Sequence, residues 1–245
     1  DLHLSLRRQR QMCIRDSIMA VINSIADREQ EMKTWRYLLH RHPETSYEEV
    51  WTSDFIAEKL QSFGIEIHRG IGKTGIVGVL HGSGKGTAAI GLRADMDALP
   101  MQEKNEFSHA SKTPGRMHAC GHDGHSTMLL GAAQYLAETR NFDGTVYFIF
   151  QPAEEGPPLD EEGGAELMLK EGIFRGADRP GAVFGLHVFP GPTGSIMYRP
   201  NGFMAASDYL EIEVEGVQTH GSMPWGGVDP IAAAAQVVNS LQTVV

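Results

Sequence analysis

The sequence of 245 residues is poor in cysteine and in basic residues, and it has no long hydrophobic run. Two cysteines cannot build a disulfide scaffold and suit a reducing compartment, so we predict a cytoplasmic protein. With 21 Lys and Arg against 31 Asp and Glu, the net charge of −10 argues against binding to nucleic acids or anionic membranes. No run of about 18 apolar residues occurs, so the sequence predicts no transmembrane helix.

The composition that remains is typical of a globular protein. The hydrophobic fraction of 41% is too high for a disordered chain, and 28 glycines indicate many tight turns. A length of 245 residues allows one large domain or two smaller ones with a sizeable core. We therefore expect a soluble, acidic enzyme.

Both ends of the sequence differ from its middle. Residues 1–17 contain four Arg and two Asp and look like translated adapter sequence, so we treat them as a non-native leader. The last segment is helical in composition and stops without a glycine, asparagine or proline terminator. We therefore expect the final domain to be incomplete.

Hydrophobic periodicity predicts helices and strands in alternation. The predicted helices cover residues 18–42, 47–63, 123–139 and 164–170. The predicted strands lie within residues 65–68, 75–82, 87–100, 145–150 and 182–189. The run 145–150 is apolar without alternation, as expected for a central strand that is covered on both faces. This order indicates an α/β layered domain.

The pattern changes near Ala205. In residues 208–216, Leu210, Ile212 and Val214 alternate with glutamates, which predicts a half-buried strand of an antiparallel sheet. We place a domain boundary here, with a first domain over residues 18–204 and a second domain over residues 205–245.

Several common motifs are missing. Gly72-Lys73-Thr74 ends like a phosphate-binding loop, but the glycine that this loop needs five positions earlier is Ile67. The sequence also lacks an HExxH helix, a GxSxG elbow and a CxxC pair.

Ligand-type residues are concentrated where predicted strands end, which is where α/β folds place their sites. These residues are Asp95 and Asp97, then His118, Cys120, His122, Asp123 and His125, then Glu154 and Glu155, and finally His187. Each alone has an ordinary structural explanation. Together they favour a metal site, because the glutamate pair directly follows a core strand and Pro152, and a buried carboxylate needs compensation. Thiolate, imidazole and carboxylate ligands suit Zn or Mn better than Ca or Mg.

The same segments resemble a known family. LLHRHPETSYEE, GLRADMDALPMQE, MHACGHDGHSTMLLGAA, FIFQPAEEG, GLHVFPG and HGSMPWGGVDPI occur in this order between residue 33 and residue 245. They resemble the dinuclear metallo-amidohydrolases that include hippurate hydrolase, N-acyl-amino-acid deacylases and auxin-conjugate hydrolases. The resemblance implies a metallo-exopeptidase-like catalytic domain with a mixed central sheet flanked by helices, and the beginning of a small α+β lid or dimerisation domain.

The resemblance also implies a role for individual residues. The metal ligands would be Cys120, His122, Glu155 and His187. Glu154 would be the general base and Asp97 would orient a ligand. In a dimer, His220 on the lid domain would reach the active site of the partner and contact the substrate carboxylate or the developing oxyanion. His118 and His125 would be structural or supporting, the role of Asp95 stays open, and His40 and His42 would not bind metal.

The implied reaction is hydrolysis of the amide bond of N-acyl amino acids by water that two divalent ions activate. The ions would be Mn or Zn, or else Co or Ni, and the full-length protein would be a homodimer. The family takes its last ligand histidine from a C-terminal segment, and no histidine follows His220. We therefore expect this stretch to bind one of the two metals weakly and to show little activity.

Two alternatives stay open at this stage. Cys120 could be a nucleophile with His122 or His125 as its base. The chain could also be a non-catalytic metal-binding module.

Overall fold

The computed structural model of the protein describes residues 23–174, 179–205 and 210–244. The leader predicted for residues 1–17 lies outside these ranges. The chain forms two compact units that divide between Ser195 and Ile196. The predicted domains, with their boundary at residues 204 and 205, stay a prediction.

The first unit alternates helices with strands. Its helices are α1 (Asn23–Ala26), α2 (Glu29–Arg41), α3 (Val50–Ser62), α4 (His122–Thr139) and α5 (Gly164–Glu171). Its strands are β1 (Glu66–Ile71), β2 (Gly75–His81), β3 (Ala89–Asp95), β4 (Thr145–Gln151) and β5 (Ala182–Gly185). The expected α/β order is confirmed.

The five strands form one mixed sheet in the order β1-β2-β4-β3-β5. Strand β2 is antiparallel to β1 and β4, whereas β3 is parallel to β4 and β5. Asp95 at the end of β3 is paired with Gln151 at the end of β4. The chain leaves β3, β4 and β5 at the same edge of the sheet, so residues that follow these strands are brought together.

Both faces of the sheet are covered. Along β4, Val146, Phe148 and Phe150 pack against the core formed with α2, α3 and α4, while Ile149 packs with Met168 of α5 on the other face. The prediction of a central strand covered on both sides is therefore confirmed. The predicted mixed sheet with flanking helices is also confirmed.

In the first unit, one predicted helix and one predicted strand differ clearly from the structure. The helix predicted for residues 18–42 is described only from Asn23 and is divided by a turn at Asp27 and Arg28 into α1 and α2. The strand predicted for residues 182–189 ends at Gly185, because β5 pairs with β3 over only four residues. Apolar composition alone could not set this limit, because it does not show which residues pair with a neighbouring strand.

The strand predicted for residues 208–216 was wrong for the residues that the structure describes there. Residues 210–216 form no strand, and Leu210 and Ile212 are exposed. A strand needs a hydrogen-bonded partner, and the described residues of this unit supply only an isolated bridge between Val217 and Val228.

The second unit contains a short 3₁₀ turn (Pro224–Gly226) and helix α6 (Pro230–Leu241). Helix α6 begins at Pro230, where a missing N–H costs nothing, and the Asp229 carboxylate accepts the N–H groups of Ile231 and Ala232 at 2.9 and 3.3 Å. The lid or dimerisation role of this unit stays a prediction. Among the described residues, no helix has the length and apolar character that crossing a membrane requires.

Candidate metal centre

The candidate metal centre lies at the edge of the sheet where three parallel strands end. Asp95 is the last residue of β3, and Asp97 follows two positions later. Glu154 and Glu155 come shortly after the end of β4, and His187 comes two residues after the end of β5. Parallel strands bring these residues to one edge although they are far apart in sequence.

Helix α4 supplies the fourth segment. His122 is its first residue, and Gly121 precedes it with a φ of 99°, a conformation that L side chains rarely adopt. A Cβ atom at Gly121 would also lie 2.4 Å from Val188 Cγ2. This glycine therefore lets Cys120 turn back toward the strand ends, where its Sγ lies 3.3 Å from His187 Nε2.

The His122 ring lies at the middle of the site. Its Nδ1 is 3.2 Å from Asp97 Oδ1. Its Nε2 faces three other carboxylates, at 3.6 Å from Asp95 Oδ2, 3.7 Å from Glu154 Oε2 and 3.6 Å from Glu155 Oε1. Asp97 thus holds Nδ1 in place, while Nε2 points toward carboxylate oxygens of three other residues.

Two atoms of this site are buried without a hydrogen-bond partner among the described residues. They are His122 Nε2 and Glu155 Oε1. Burying such atoms unpaired is costly, and a cation between them would remove the cost. Ligand atoms bound to one Zn at about 2.0–2.3 Å are themselves roughly 3–4 Å apart, so the 3.6 Å separation fits a shared ion.

The hydrogen bonds also assign the tautomers of the two histidines. His122 donates its Nδ1 proton to Asp97, and His187 donates its Nδ1 proton to the carbonyl of Val188 at 2.7 Å. In its neutral form each ring therefore keeps a lone pair on Nε2, which is the form that binds metal. Cys120, His122 and His187 form one candidate ligand group, and His122, Glu154 and Glu155 form another.

The two adjacent glutamates point differently. The Glu155 side chain is 19% exposed and that of Glu154 is 38% exposed. Burial raises the pKa of Glu154, and the negative charges of Asp95 and Glu155 act in the same direction, against the charge of His122. Glu155 thus faces inward as a ligand would, while Glu154 stays accessible from solvent.

Comparison with known proteins identifies the family of the chain. Residues 91–244 match the family described as peptidase family M20/M25/M40. The chain belongs to this family. The resemblance inferred from its sequence motifs is thereby confirmed.

Two named relatives support the assignment to the M20 family. The chain is 45% identical over 228 residues to hippurate hydrolase of Campylobacter jejuni, covering 93% of the chain and 57% of that protein. It is 46% identical over 222 residues to an N-acyl-L-amino acid amidohydrolase of Geobacillus stearothermophilus, covering 88% and 58%. The chain thus spans somewhat more than half the length of these two relatives.

Two crystal structures share the fold. A protein described as an aminohydrolase, from methicillin-resistant Staphylococcus aureus, has a TM-score of 0.74 and 36% identity, over 91% of this chain and 58% of that one. A Bacillus subtilis protein described as a dinuclear metal-binding peptidase of the M20 family has a TM-score of 0.60 and 40% identity, over 66% of this chain and 43% of that one.

In this M20 chain, Asp97 connects two of the candidate ligands. Besides its contact with His122, its Oδ2 accepts the backbone N–H of Glu155 at 2.9 Å and the hydroxyl of Ser46 at 3.2 Å. Burial by itself would raise the pKa of Asp97, but the hydrogen bonds from His122 and from the backbone of Glu155 outweigh it and lower the pKa. Asp97 is therefore a carboxylate that contacts two candidate ligands at once.

Asp95 has a different set of partners, which the sequence left open. It accepts the Nδ1 proton of His125 at 2.6 Å and a hydrogen bond from Arg93 at 2.7 Å. Burial opposes ionisation of Asp95, but the hydrogen bond from His125 and the nearby positive charges lower its pKa to about 2. His125 Nε2 in turn accepts the N–H of Val188 at 2.9 Å, so this chain of contacts holds the segment that carries His187.

Cys120 is protonated unless a cation is present. Burial raises its pKa, and the neighbouring Glu155 together with the charges of Glu154 and Asp95 adds to this, so the pKa reaches about 12. Its histidine contact is His187, and not His122 or His125 as the nucleophile alternative assumed.

His220 lies in the second unit and is exposed. Its Nδ1 accepts the N–H of Ser222 at 3.2 Å and lies 2.8 Å from the Ser222 hydroxyl. The neutral ring therefore carries its proton on Nε2, which makes that atom a hydrogen-bond donor.

A buried polar cluster beside the centre was missed by sequence reasoning. His40 lies between two carboxylates, with Nδ1 2.9 Å from Asp123 Oδ2 and Nε2 3.1 Å from Glu103 Oε1. The hydrogen bond with Asp123 raises the pKa of His40 most, against an opposing effect of burial. His118 is buried nearby without a hydrogen-bond partner among the described residues, and burial lowers its pKa to about 4. Polar residues on an amphipathic helix gave no signal of this cluster.

Proposed function

We propose that the protein containing this chain hydrolyses the amide bond of N-acyl amino acids with the help of two divalent cations, Mn or Zn. Its relatives are named for hippurate and for N-acyl-L-amino acids, which supports this substrate class. The proposed full-length protein is a homodimer, and Co or Ni would be substitutes for the native metal. The prediction of a cytoplasmic location stays as it was.

The observation that carries the proposal is the convergence of Cys120, His122, Glu155 and His187. They come from three distant segments, yet their ligand-type atoms meet at one edge of the sheet. A cation would bind the Nε2 of His122 and the Oε1 of Glu155, which have no hydrogen-bond partner among the described residues. A mixed set of sulfur, nitrogen and oxygen donors is typical of a transition metal.

The chemistry of the site would be divided between the cations and the protein. When bound, the cations would lower the pKa of water and polarise the scissile carbonyl. Glu154, the more exposed of the two glutamates, would take a proton from the attacking water on Oε2 and pass it to the leaving amine. Asp97 would keep the Nδ1 proton of His122 in place, so that Nε2 stays directed at the centre.

His220 would contribute a donor to the active site of the partner in the proposed homodimer. The contact of its Nδ1 with Ser222 leaves Nε2–H as the donor, which suits a contact with a substrate carboxylate or with a developing oxyanion. Loss of one oxyanion donor in other enzymes costs about 3 kcal/mol of transition-state stabilisation. We therefore propose that His220 affects turnover more than substrate binding.

The experiment uses the full-length protein with hippurate, N-acetyl and indole-acyl amino acids as substrates. Glu154→Gln should lose at least about 100-fold in kcat while its metal content stays that of the wild type, because the ligands remain and only proton transfer is removed. Glu106→Gln, a change of an exposed glutamate, is the matched control. Hydrolysis by Glu154→Gln at the wild-type rate would exclude Glu154 as the general base. Absence of hydrolysis by the wild type on every substrate would leave only a metal-binding module.

A thiol nucleophile is the second candidate, because Cys120 Sγ lies 3.3 Å from His187 Nε2. Its pKa of about 12 argues against this function, since the thiolate and not the thiol is the nucleophile. The two functions are separated by inhibitors. Loss of activity with a chelator and recovery with Mn²⁺ or Zn²⁺ supports the metal centre, whereas chelator-resistant activity that alkylation abolishes supports the thiol.

A further inference from the structure

Glu49 is a buried carboxylate that no part of the proposed mechanism uses. It directly precedes α3 and is 0% exposed. Its Oε1 accepts the backbone N–H of Ala153 at 2.9 Å, and its Oε2 accepts the hydroxyl of Thr74 at 2.7 Å. Both oxygens are thus engaged by neutral donors, which is an uncommon situation for a buried carboxylate and indicates a specific role.

Ala153 is the second of the two residues between the end of β4 and the pair Glu154-Glu155. Its φ of 45° lies in the left-handed region, which a residue with a Cβ atom occupies only when its surroundings hold it there. Ala153 is also 2% exposed, so water cannot replace the partner of its N–H. The hydrogen bond from this N–H to Glu49 is therefore a contact that holds the strained turn.

The residues around Ala153 allow little freedom on the other side. The carbonyl of Ala153 accepts the N–H of Gly164 at 3.2 Å. A Cβ atom at Gly164 would lie 1.8 Å from the carbonyl oxygen of Pro152, so the two backbones approach as closely as only glycine allows. The turn is packed against α5 on this side and is anchored by Glu49 on the other.

Two buried carboxylates thus hold the two ends of one short turn. Glu49 binds the N–H of Ala153, and Asp97 binds the N–H of Glu155. Asp97 also contacts His122, so its effect on the centre is direct. The side chain of Glu49 forms its hydrogen bonds with Thr74 and Ala153, neither of which is a candidate metal ligand, so its effect must pass through the backbone.

We propose that Glu49 is a positioning residue that holds Ala153 in its left-handed conformation and thereby directs Glu155 into the metal centre and Glu154 toward solvent. The backbone hydrogen bonds support the effect of Glu49 on the conformation of Ala153, and this effect needs no metal. The effect of Glu49 on metal binding rests on the proposed function.

The first test needs no metal. Backbone hydrogen exchange of residues 153–155 is compared in the metal-free wild type, Glu49→Gln and Glu49→Ala. Gln keeps the contacts, because its carbonyl accepts from Ala153 and its amide donates to Thr74. Glu49→Ala should exchange at least about tenfold faster in this segment, while Glu49→Gln stays near the wild type. Equal exchange in all three proteins would overturn the proposal.

The second test measures the affinity for Mn²⁺ and Zn²⁺ by calorimetry. Glu49→Ala should bind about 10–100-fold more weakly, as is typical when a residue that supports a ligand is lost, and Glu49→Gln should bind like the wild type. Ala153→Gly should restore part of the affinity in the Glu49→Ala background, since glycine adopts a positive φ without help. A purely structural loss of packing would not be rescued in this way.

The outcomes of these tests distinguish the proposed metal centre from the proposed positioning role of Glu49. A wild type that binds neither ion would refute the metal centre, and hydrogen exchange would still decide the role of Glu49. A wild type that binds metal, together with Glu49→Ala of equal affinity, would refute the positioning role alone. If Glu49→Ala does not fold, Glu49→Met replaces it, because methionine fills the same space and accepts no strong hydrogen bond.

Discussion

Replacement of Asp97 by asparagine is the perturbation that tests the candidate centre most directly. The carboxylate accepts from His122 on one oxygen and from Glu155 and Ser46 on the other. Asparagine has nearly the same shape but only one acceptor oxygen. If the amide nitrogen faces His122, the histidine must move its proton to Nε2 and lose the lone pair that would bind metal. If it faces Glu155 instead, a backbone N–H is left without its acceptor.

The expected loss of metal affinity follows from these two orientations of the asparagine side chain. An unsatisfied buried donor costs about 1–3 kcal/mol. Changes to a residue that orients a ligand histidine typically weaken metal binding about 10–100-fold. At about 1.4 kcal/mol for each factor of ten, this corresponds to roughly 1.4–2.8 kcal/mol. The two estimates agree, so we expect Asp97→Asn to bind Mn²⁺ or Zn²⁺ about 10–100-fold more weakly than the wild type.

Calorimetric titration of the metal-free protein measures this loss, and circular dichroism checks that the variant is folded. Ser46→Ala is the matched control, because it removes one donor to the same Asp97 oxygen and leaves the contacts with His122 and Glu155 in place. We expect its affinity to stay within about threefold of the wild type. A folded Asp97→Asn protein with wild-type affinity would show that His122 does not need Asp97 to present its Nε2 atom, and the role of Asp97 in orienting His122 would be refuted.

Three further predictions concern the core, the buried histidine and the thiol. Phe148→Ala should lower the free energy of unfolding by about 3–5 kcal/mol, because this side chain is fully buried in the central strand; a loss under 1 kcal/mol in urea denaturation would contradict the packing. The pKa of His40 is raised, so its contribution is complete below about pH 6.5 and is lost as the pH rises through its folded pKa. The free energy of unfolding of His40→Gln should therefore fall less between pH 6.5 and pH 9 than that of the wild type, and parallel curves would rule this out. Cys120→Ser should weaken binding of Zn²⁺ more than binding of Mn²⁺, because it removes the soft ligand; an equal loss for both ions in competition titrations would argue against sulfur ligation.

Much of the fold could be predicted because strong local signals coincide with tertiary structure. The continuous apolar run of β4 identified the central strand, and the periodic apolar face of residues 123–139 identified α4 almost to the residue. Patterns of this kind report burial on one or two faces, which is a property of the residues themselves. They failed where an element depends on its neighbour, as in residues 210–216, which alternate like a strand but lack a paired strand among the described residues.

The candidate ligands could be found from the sequence for a related reason. Cys120, His122, Glu155 and His187 are residue types whose side chains bind metal ions, and they stand in short segments next to predicted strands. Their supporting residues carry no such signal. Glu49 belongs to the run Glu48-Glu49, which reads as a solvated surface pair, and His40 lies in the last turn of an amphipathic helix.

The sequence by itself determined which residues are chemically able to hold a metal and to move a proton, because side-chain chemistry does not depend on the fold. Only the tertiary structure decided which of them meet, which nitrogen of His122 and His187 keeps its lone pair, and which of the two adjacent glutamates faces inward. These properties arise from the parallel pairing of β3, β4 and β5 and from backbone contacts at Ala153 and Glu155. Such contacts join residues about 60 to 100 positions apart, and no local pattern records them.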